Sequence, residues 1–333
     1  MKKILLITTG GTIASIKTEK GLKPGLDGKH LLNYLPELND ICEVDIESLF
    51  SIDSTNIYYK HWLKIAKTIK DNYDKYDGFV IAHGTDTMGY TASALSYLIQ
   101  NSKKPIVLTG AQKPINLDVS DAKTNLLDSF IYACDKNSSG VVLVFNGNVI
   151  LGTRARKIRS KSFDAFASID YPKVAIVQDK HVIHYITNLS TKTKFYENLS
   201  NDVALLKLTP GVYENVLEYL LEHHKVVVIE SFGVGGLPDY EGNKYNELIE
   251  KYTKLGRMIV MTTQVPNEGS DIAIYSVGHI LKENNNVLEA YDMTTEAVIT
   301  KLMWILSITD KPAKIKKMFY TTIANDILFK RDI

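Results

Sequence analysis

The chain has 333 residues, with 39 Lys plus Arg against 38 Asp plus Glu and a formal charge of +1. That balance argues against a dedicated binder of nucleic acid or of anionic membranes. With 45% hydrophobic and 23% charged residues, 20 Gly and 9 Pro, the composition lies outside the collagen-like, coiled-coil and disordered classes, and the length predicts two domains.

The N-terminus Met1-Lys2-Lys3 opens like a signal peptide, but its apolar run, residues 4–7, stops at Thr8-Thr9-Gly10-Gly11, too short for a secretory core. No other run approaches the roughly 18 apolar residues of a membrane helix, so a cytoplasmic protein is expected. Short β-rich runs at 4–7, 79–82, 106–109 and 141–145 each lead into turn residues and a helical pattern, and 61–73 and 91–100 place apolar residues three and four apart. This is the rhythm of an α/β fold, a parallel-type sheet flanked by helices. Residues 173–186 read as a hairpin around Asp179-Lys180. The polar stretch after residue 187 reads as a linker, which divides the chain into a domain at 1–187, a linker at 188–202 and a smaller α/β domain at 203–333. The second domain takes its strands and helices from 203–208, 216–221, 225–230, 246–255 and 258–262. Cys42 and Cys134 form no CxxC pair and read as buried small hydrophobes without redox chemistry.

Two strand-to-loop junctions deliver threonines where open α/β sheets hold ligands: Gly10-Gly11-Thr12 and His83-Gly84-Thr85-Asp86. Their glycines allow a sharp turn and a close backbone approach. A threonine hydroxyl needs a base to become a nucleophile, and Asp86 with a lysine from elsewhere would supply the proton relay. That lysine must be kept partly neutral by burial or cationic neighbours. The run from 154 to 161 (RARKIRSK) offers several, and spacing does not choose among them. The bland readings are that Gly-Gly-Thr is a turn, that Thr85 or Asp86 merely caps a helix, and that His83 is a hydrogen-bonded structural residue rather than a base. The basic run without interleaved aromatics is no nucleic-acid patch. His181 with His184, and His223 with His224, lack a metal-binding context, and no phosphate-binding or dinucleotide motif occurs. No metal and no cofactor are expected.

TTGGTIAS at 8–15, DGFVIAHGTDTM at 77–88, the GAQKP turn at 110–114 and SFDAFAS at 162–168 together resemble the bacterial-type L-asparaginases, nearest the cytoplasmic type I branch. The resemblance extends to Gly233-Val234-Gly235 and to 290–297 (AYDMTTEA). It implies hydrolysis of L-asparagine to L-aspartate and ammonia through an acyl-enzyme, with Thr12 as nucleophile. Thr85, Asp86 and Lys157 then match a second triad; Lys157 is selected because it lies six residues before Phe163-Asp164-Ala165-Phe166. Asp53 and Ser54 match positions that hold the α-amino and α-carboxylate groups, with Asp86 also reaching the amine, and the backbone of Thr85 and Ala111 matches an oxyanion hole. The resemblance further implies a homodimer or homotetramer.

Two positions depart from the family pattern. Leu22 stands where a tyrosine usually contacts the nucleophile, with Tyr34 and Tyr58 the nearest substitutes in sequence, and Gly236 stands where many members have asparagine. Three alternatives remain beside the asparaginase reading: a glutaminase-asparaginase, the amidase subunit of a tRNA-dependent amidotransferase, and an amino-acid sensor that binds without turnover. The amidotransferase subunit is disfavoured, because it usually carries an extra N-terminal domain and Thr12 lies only five residues beyond Ile7.

Overall fold

The computed structural model describes residues 1–18, 21–25, 28–187, 192–238, 244–274 and 284–329. It contains two units, Met1–Glu197 and Asn198–Ile333, which part inside the stretch read from sequence as a linker. Residues 188–191 of that stretch lie outside the described residues, while Lys194–Phe195 pairs antiparallel with Ile99–Gln100 in the first unit.

The first unit is built on an eight-stranded sheet. Its strands are β1 (Lys2–Gly10), β2 (Cys42–Ile52), β3 (Gly78–Ala82), β4 (Pro105–Thr109), β5 (Gly140–Phe145), β6 (Asn148–Leu151), β7 (Ala175–Gln178) and β8 (His181–His184). They lie in the order β8-β7-β6-β5-β4-β3-β1-β2. The pairs from β2 to β5 are parallel, and β5 to β8 continue as an antiparallel meander. The reason is in the connections. β5 and β6 are joined through Asn146 and Gly147, and β7 and β8 through Asp179 and Lys180, and all four residues have positive φ. Two-residue turns of that kind match strand twist and force an antiparallel return.

The parallel strands are covered by α1 (Tyr59–Asn72), α2 (Met88–Leu98) and α3 (Ala122–Cys134). Alternate residues of the strands serve opposite faces. Ile4, Leu6, Val80, Val107, Val142 and Val144 share a core with Leu126 and Phe130 of α3. Leu5, Ile7, Phe79, Ile81, Ile106 and Leu108 are equally buried. From β1 the chain steps one way to β2 and then returns across to β3. The carboxyl ends of β1 and β3 therefore flank the reversal of strand order, where such sheets open a crevice.

The second unit carries a four-stranded parallel sheet, β9 (Val203–Lys207), β10 (Val226–Ser231), β11 (Met258–Thr263) and β12 (Val287–Glu289), in chain order. Helices α4 (Glu214–His223), α5 (Tyr245–Lys254), α6 (Thr295–Leu306) and α7 (Pro312–Phe319) accompany it. After β10, Gly236 bridges back to Phe232 and Gly235 packs against Ile272.

Within α6, Lys301 is wholly buried and its Nζ lies 2.6 Å from Asp326 Oδ2, also wholly buried, and donates to the Thr321 carbonyl at 2.9 Å. A buried ion pair is costly to form and costlier to halve. The Asp326→Ala substitution is therefore expected to destabilise the protein by about 3 to 5 kcal/mol in urea unfolding, while pairing Lys301→Met with Asp326→Leu recovers most of that loss.

Candidate active site

Four loops meet at the carboxyl ends of the parallel strands, and glycines set how near they come. A Cβ on Gly10 (φ +100°) would lie 2.5 Å from the Ile52 backbone, so the turn after β1 rests on the end of β2. A Cβ on Gly11 would lie 2.5 Å from Cα and N of Gly84. Gly11 also has φ 82° and ψ 178°, a conformation essentially confined to glycine. On Gly84 a Cβ would meet Ser54 at 2.6 Å, and on Gly110 it would strike the His83 carbonyl. Thr12, Thr85, Asp53-Ser54 and Ala111 each stand within one residue of these contacts.

Thr85 is buried, and its Oγ1 receives a hydrogen bond from Lys157 Nζ at 2.8 Å and donates to Gln112 Oε1 at 3.2 Å. Lys157 Nζ also lies 2.6 Å from Asp86 Oδ1. The lysine is delivered by Ala155–Lys157, which pairs antiparallel with Phe166–Ser168, Lys157 opposite Phe166. Its side chain is 18% exposed, whereas that of Asp86 is 56% exposed and faces solvent. Helix α2 begins beyond Thr87, and the carboxylate of Asp86 is committed to Lys157 rather than to capping that helix.

Thr12 is partly exposed and opens a short 3-10 turn, Thr12–Ala14, whose ends are tied by the Ser15 hydroxyl and Ala14 amide to the Gly11 carbonyl at 2.9 and 3.2 Å. Asp53 is exposed and accepts on Oδ1 from both the amide and the hydroxyl of Thr55 at 2.8 Å, while Ser54 is buried against Gly84. Ala111 is fully buried. Its turn is fixed by Asp121, which accepts from the amides of Gln112 and Lys113, and by Asn125, which donates to the Gly110 carbonyl at 3.0 Å. Sequence reasoning passes over Gln112, Asp121 and Asn125. Gln112 stands inside the GAQKP turn, and Asp121 immediately precedes α3 but turns its carboxylate to the Gln112 and Lys113 amides instead of capping the helix.

His83 belongs to the scaffold. Its Nδ1–H donates to the Gly84 carbonyl at 2.7 Å, and its Nε2 accepts from Thr91 Oγ1 at 2.9 Å, which in turn accepts from Trp62 Nε1 at 2.9 Å. This network assigns a neutral tautomer with both nitrogens satisfied, and complete burial pushes the imidazole down to about 4. Two arginines of the basic run are likewise spent locally. Arg154 is fully buried with Nη1 3.5 Å from the Ile169 carbonyl, and Arg159 pairs with Asp164 at 2.6 Å.

Leu22 lies in Gly21–Pro24, whose backbone pairs with Ser15–Thr18 so that Leu22 stands opposite Lys17. Its side chain is outside the described residues. Tyr58 is 49% exposed at the start of α1, stacked edge-on against His61, and Tyr34 packs beside the α3 core under Lys123. No cluster of metal-ligating side chains occurs among the described residues, and no described helix is long and apolar enough to cross a membrane.

An open α/β sheet whose reversal point holds a lysine, a threonine and an aspartate in mutual contact, followed in the chain by a second parallel-sheet unit, defines a class of two-unit α/β proteins with a polar site on the first sheet. Residues 3–190 match the asparaginase N-terminal family model and residues 202–319 the glutaminase/asparaginase C-terminal model. The chain belongs to the asparaginase family. It is 37% identical to an L-asparaginase of Thermococcus kodakarensis, over 98% of this chain and 99% of that protein. It is 33% identical to the glutamyl-tRNA(Gln) amidotransferase D subunit of Sulfurisphaera tokodaii, over 98% of this chain and 76% of that protein. Among solved structures, the thermostable L-asparaginase from Thermococcus kodakarensis superposes with a TM-score of 0.92 at 36% identity, covering 98% of this chain and all of that one. L-asparaginase I from Vibrio cholerae gives 0.88 at 28% identity, covering 98% and 99%.

The scaffold makes two properties testable. Gly11→Ala and Gly140→Ala both place alanine at positive φ, but nothing lies within 4 Å of a Cβ on Gly140. Gly140→Ala is expected to cost about 1 kcal/mol, and Gly11→Ala clearly more, with loss of activity, because the Thr12 and Thr85 loops must separate. Burial of neutral His83 adds a pH dependence. The unfolded state, with an ordinary pKa near 6.5, binds the proton before the folded state at about 4. The stabilisation is thus complete above pH 6.5 and is lost as pH falls toward 4. Between pH 7 and pH 4.5 the native protein should lose about 2 to 3 kcal/mol more than His83→Asn in urea titrations.

Proposed function

We propose that the protein hydrolyses L-asparagine to L-aspartate and ammonia through a threonine acyl-enzyme. The observation that carries this reading is Lys157 Nζ, placed 2.8 Å from Thr85 Oγ1 and 2.6 Å from Asp86 Oδ1 on loops that converge with Thr12. Two hydroxyls at one crevice, one of them in a lysine and carboxylate network, are the parts that covalent catalysis on an amide requires.

In this reading Thr12 Oγ1 attacks the carboxamide carbon, its proton passes to the amide nitrogen, and ammonia leaves as the ester forms. Water then attacks the ester carbon, its proton moving by way of the Thr85 and Lys157 pair to Thr12 Oγ1 as the bond from that oxygen to the acyl carbon breaks, and aspartate is released. The amides of Thr85 and Ala111 would hold the oxyanion, each preorganised donor contributing about 3 kcal/mol. Asp53 and Asp86, the two exposed carboxylates of the site, would receive the α-amine, and Ser54 the α-carboxylate. The setting we infer is cytoplasmic, in line with a solved relative, the probable cytoplasmic L-asparaginase from Campylobacter jejuni, at 26% identity and a TM-score of 0.83. A homodimer or homotetramer completes the proposal.

Similarity to amidotransferase D subunits favours a second reading, use of a glutamine amide. Ammonia release from L-asparagine, L-glutamine and D-asparagine by the purified protein separates the two readings. L-asparagine is expected to be the preferred donor. Thr12→Ala, Thr85→Val and Lys157→Met should each lower kcat by about 100- to 10,000-fold, while L-aspartate still raises the melting temperature of Thr85→Val. Equal turnover by native protein and Thr85→Val would remove Thr85 from the mechanism, and thermal stabilisation by asparagine without any ammonia would identify a sensor.

A further inference from the structure

Gln112 joins the Thr85 hydroxyl to the loop that follows Lys157. Its Nε2 donates to the Ser162 carbonyl at 3.2 Å and to the Arg159 carbonyl at 3.4 Å, and its Oε1 lies 3.2 Å from Thr85 Oγ1. A carbonyl oxygen only accepts, so two of them on one side of the amide fix which end is the nitrogen. The end that faces Thr85 is therefore the oxygen, and it too can only accept. The Thr85 hydrogen is thus committed to Gln112, while a lone pair of Oγ1 receives Lys157 Nζ at 2.8 Å. A hydroxyl carries one hydrogen and two lone pairs. Among the described residues no other group bonds Oγ1, so its second lone pair is open to an incoming donor.

Both ends of this bridge are held. The Gln112 backbone amide donates to Asp121 Oδ1 and Oδ2 at 3.1 and 2.9 Å, and Asn125 Nδ2 holds the same Oδ2 at 3.1 Å. Asp121 and Asn125 are both buried. On the other side, residues 158–165 connect the two short strands that deliver Lys157. Arg159 closes that loop on Asp164 at 2.6 Å, and the Ile158 amide donates to the Ala165 carbonyl at 2.8 Å. Lys113 Nζ lies over the Phe163 ring, 5.6 Å from its centre, a second tie between the loop and the GAQKP turn. The glutamine side chain therefore spans two fixed frames, and a side chain without an amide there would leave the Thr85 hydrogen free to turn.

We propose that Gln112 is a positioning residue for the hydrolysis assigned to this site, an inference that rests on that reading. By taking up the Thr85 hydrogen it presents the open lone pair of Oγ1 to the water that attacks the acyl-enzyme. The Thr85 and Lys157 pair takes one proton from that water and gives one to Thr12 Oγ1, so its own number of protons is unchanged. Gln112 neither gains nor loses a proton; it decides which side of Oγ1 receives one. A methionine of similar length fills the same space but accepts only weakly, which separates the role of the amide oxygen from that of bulk.

The test measures ammonia release from L-asparagine by the native protein, Thr85→Val, Gln112→Met and Gln112→Glu, with quenched samples examined by intact-mass spectrometry. Gln112→Met is expected to lower kcat by about 10-fold, the effect of one oriented hydrogen bond, with KM and the thermal shift given by L-aspartate unchanged. Gln112→Asn, whose amide falls short of Thr85, is a second variant with the same expected loss. An aspartyl adduct on the chain should accumulate in both, because the water step is the one slowed. Gln112→Glu keeps an acceptor for the Thr85 hydroxyl but gives up donation to the two carbonyls, and should recover kcat above Gln112→Met. Equal losses in Gln112→Glu and Gln112→Met would assign the glutamine to loop structure, and a kcat loss without adduct would place its effect outside the water step; either result overturns the proposal. So does full turnover by Gln112→Met beside a silent Thr85→Val, which leaves the hydrolysis standing. A native protein that releases no ammonia removes the hydrolysis itself, and the role of Gln112 with it.

Discussion

Gly11 and Gly84 meet backbone to backbone, with no room for a Cβ on either side: one on Gly11 would strike Gly84, and one on Gly84 would strike Ser54. The remainder of the candidate site depends on that contact. Side chains between the loops would hold Thr12 and Thr85 apart by the thickness of a packed layer, whereas glycines let the ends of β1, β2 and β3 close to the separation of the strands themselves. The sheet order makes the contact possible, since β1 lies between β2 and β3 and the chain reverses there. The contact in turn makes the sheet order useful, because every loop that leaves this end must pass beside the same small volume.

The polar groups behind the glycines hold their positions without competing for substrate. His83 satisfies the Gly84 carbonyl and is itself satisfied by Thr91, whose hydroxyl oxygen is held in turn by Trp62. Asp121 and Asn125 do the same for the turn at Gly110 to Lys113. A buried polar group left unpaired in such a place would destabilise the fold by more than its hydrogen bond contributes. A histidine one residue before a reactive loop therefore invites a catalytic reading that its complete burial and full pairing do not support.

Much of this architecture is legible in the sequence because it rests on short-range signals. The buried strands at 79–82 and 106–109 are continuous apolar runs bounded by turn residues, and the structure extends each by one residue at its start. Asp179-Lys180 reads as a turn and has positive φ at both residues. After 141–145 the sequence reading expects turn residues and then a helical pattern; the turn is there at Asn146-Gly147, but as a hairpin pair it returns the chain antiparallel into the strand Asn148–Leu151. The eleven-residue strand Cys42–Ile52 escapes notice, since its alternating pattern of half-buried and exposed positions resembles a loop when read without its parallel partner. At the site, Lys157 meets both Thr85 and Asp86 across 72 and 71 residues of chain. Gln112 and Asp121 act through contacts 27 and 9 residues away, and no local pattern announces such pairings.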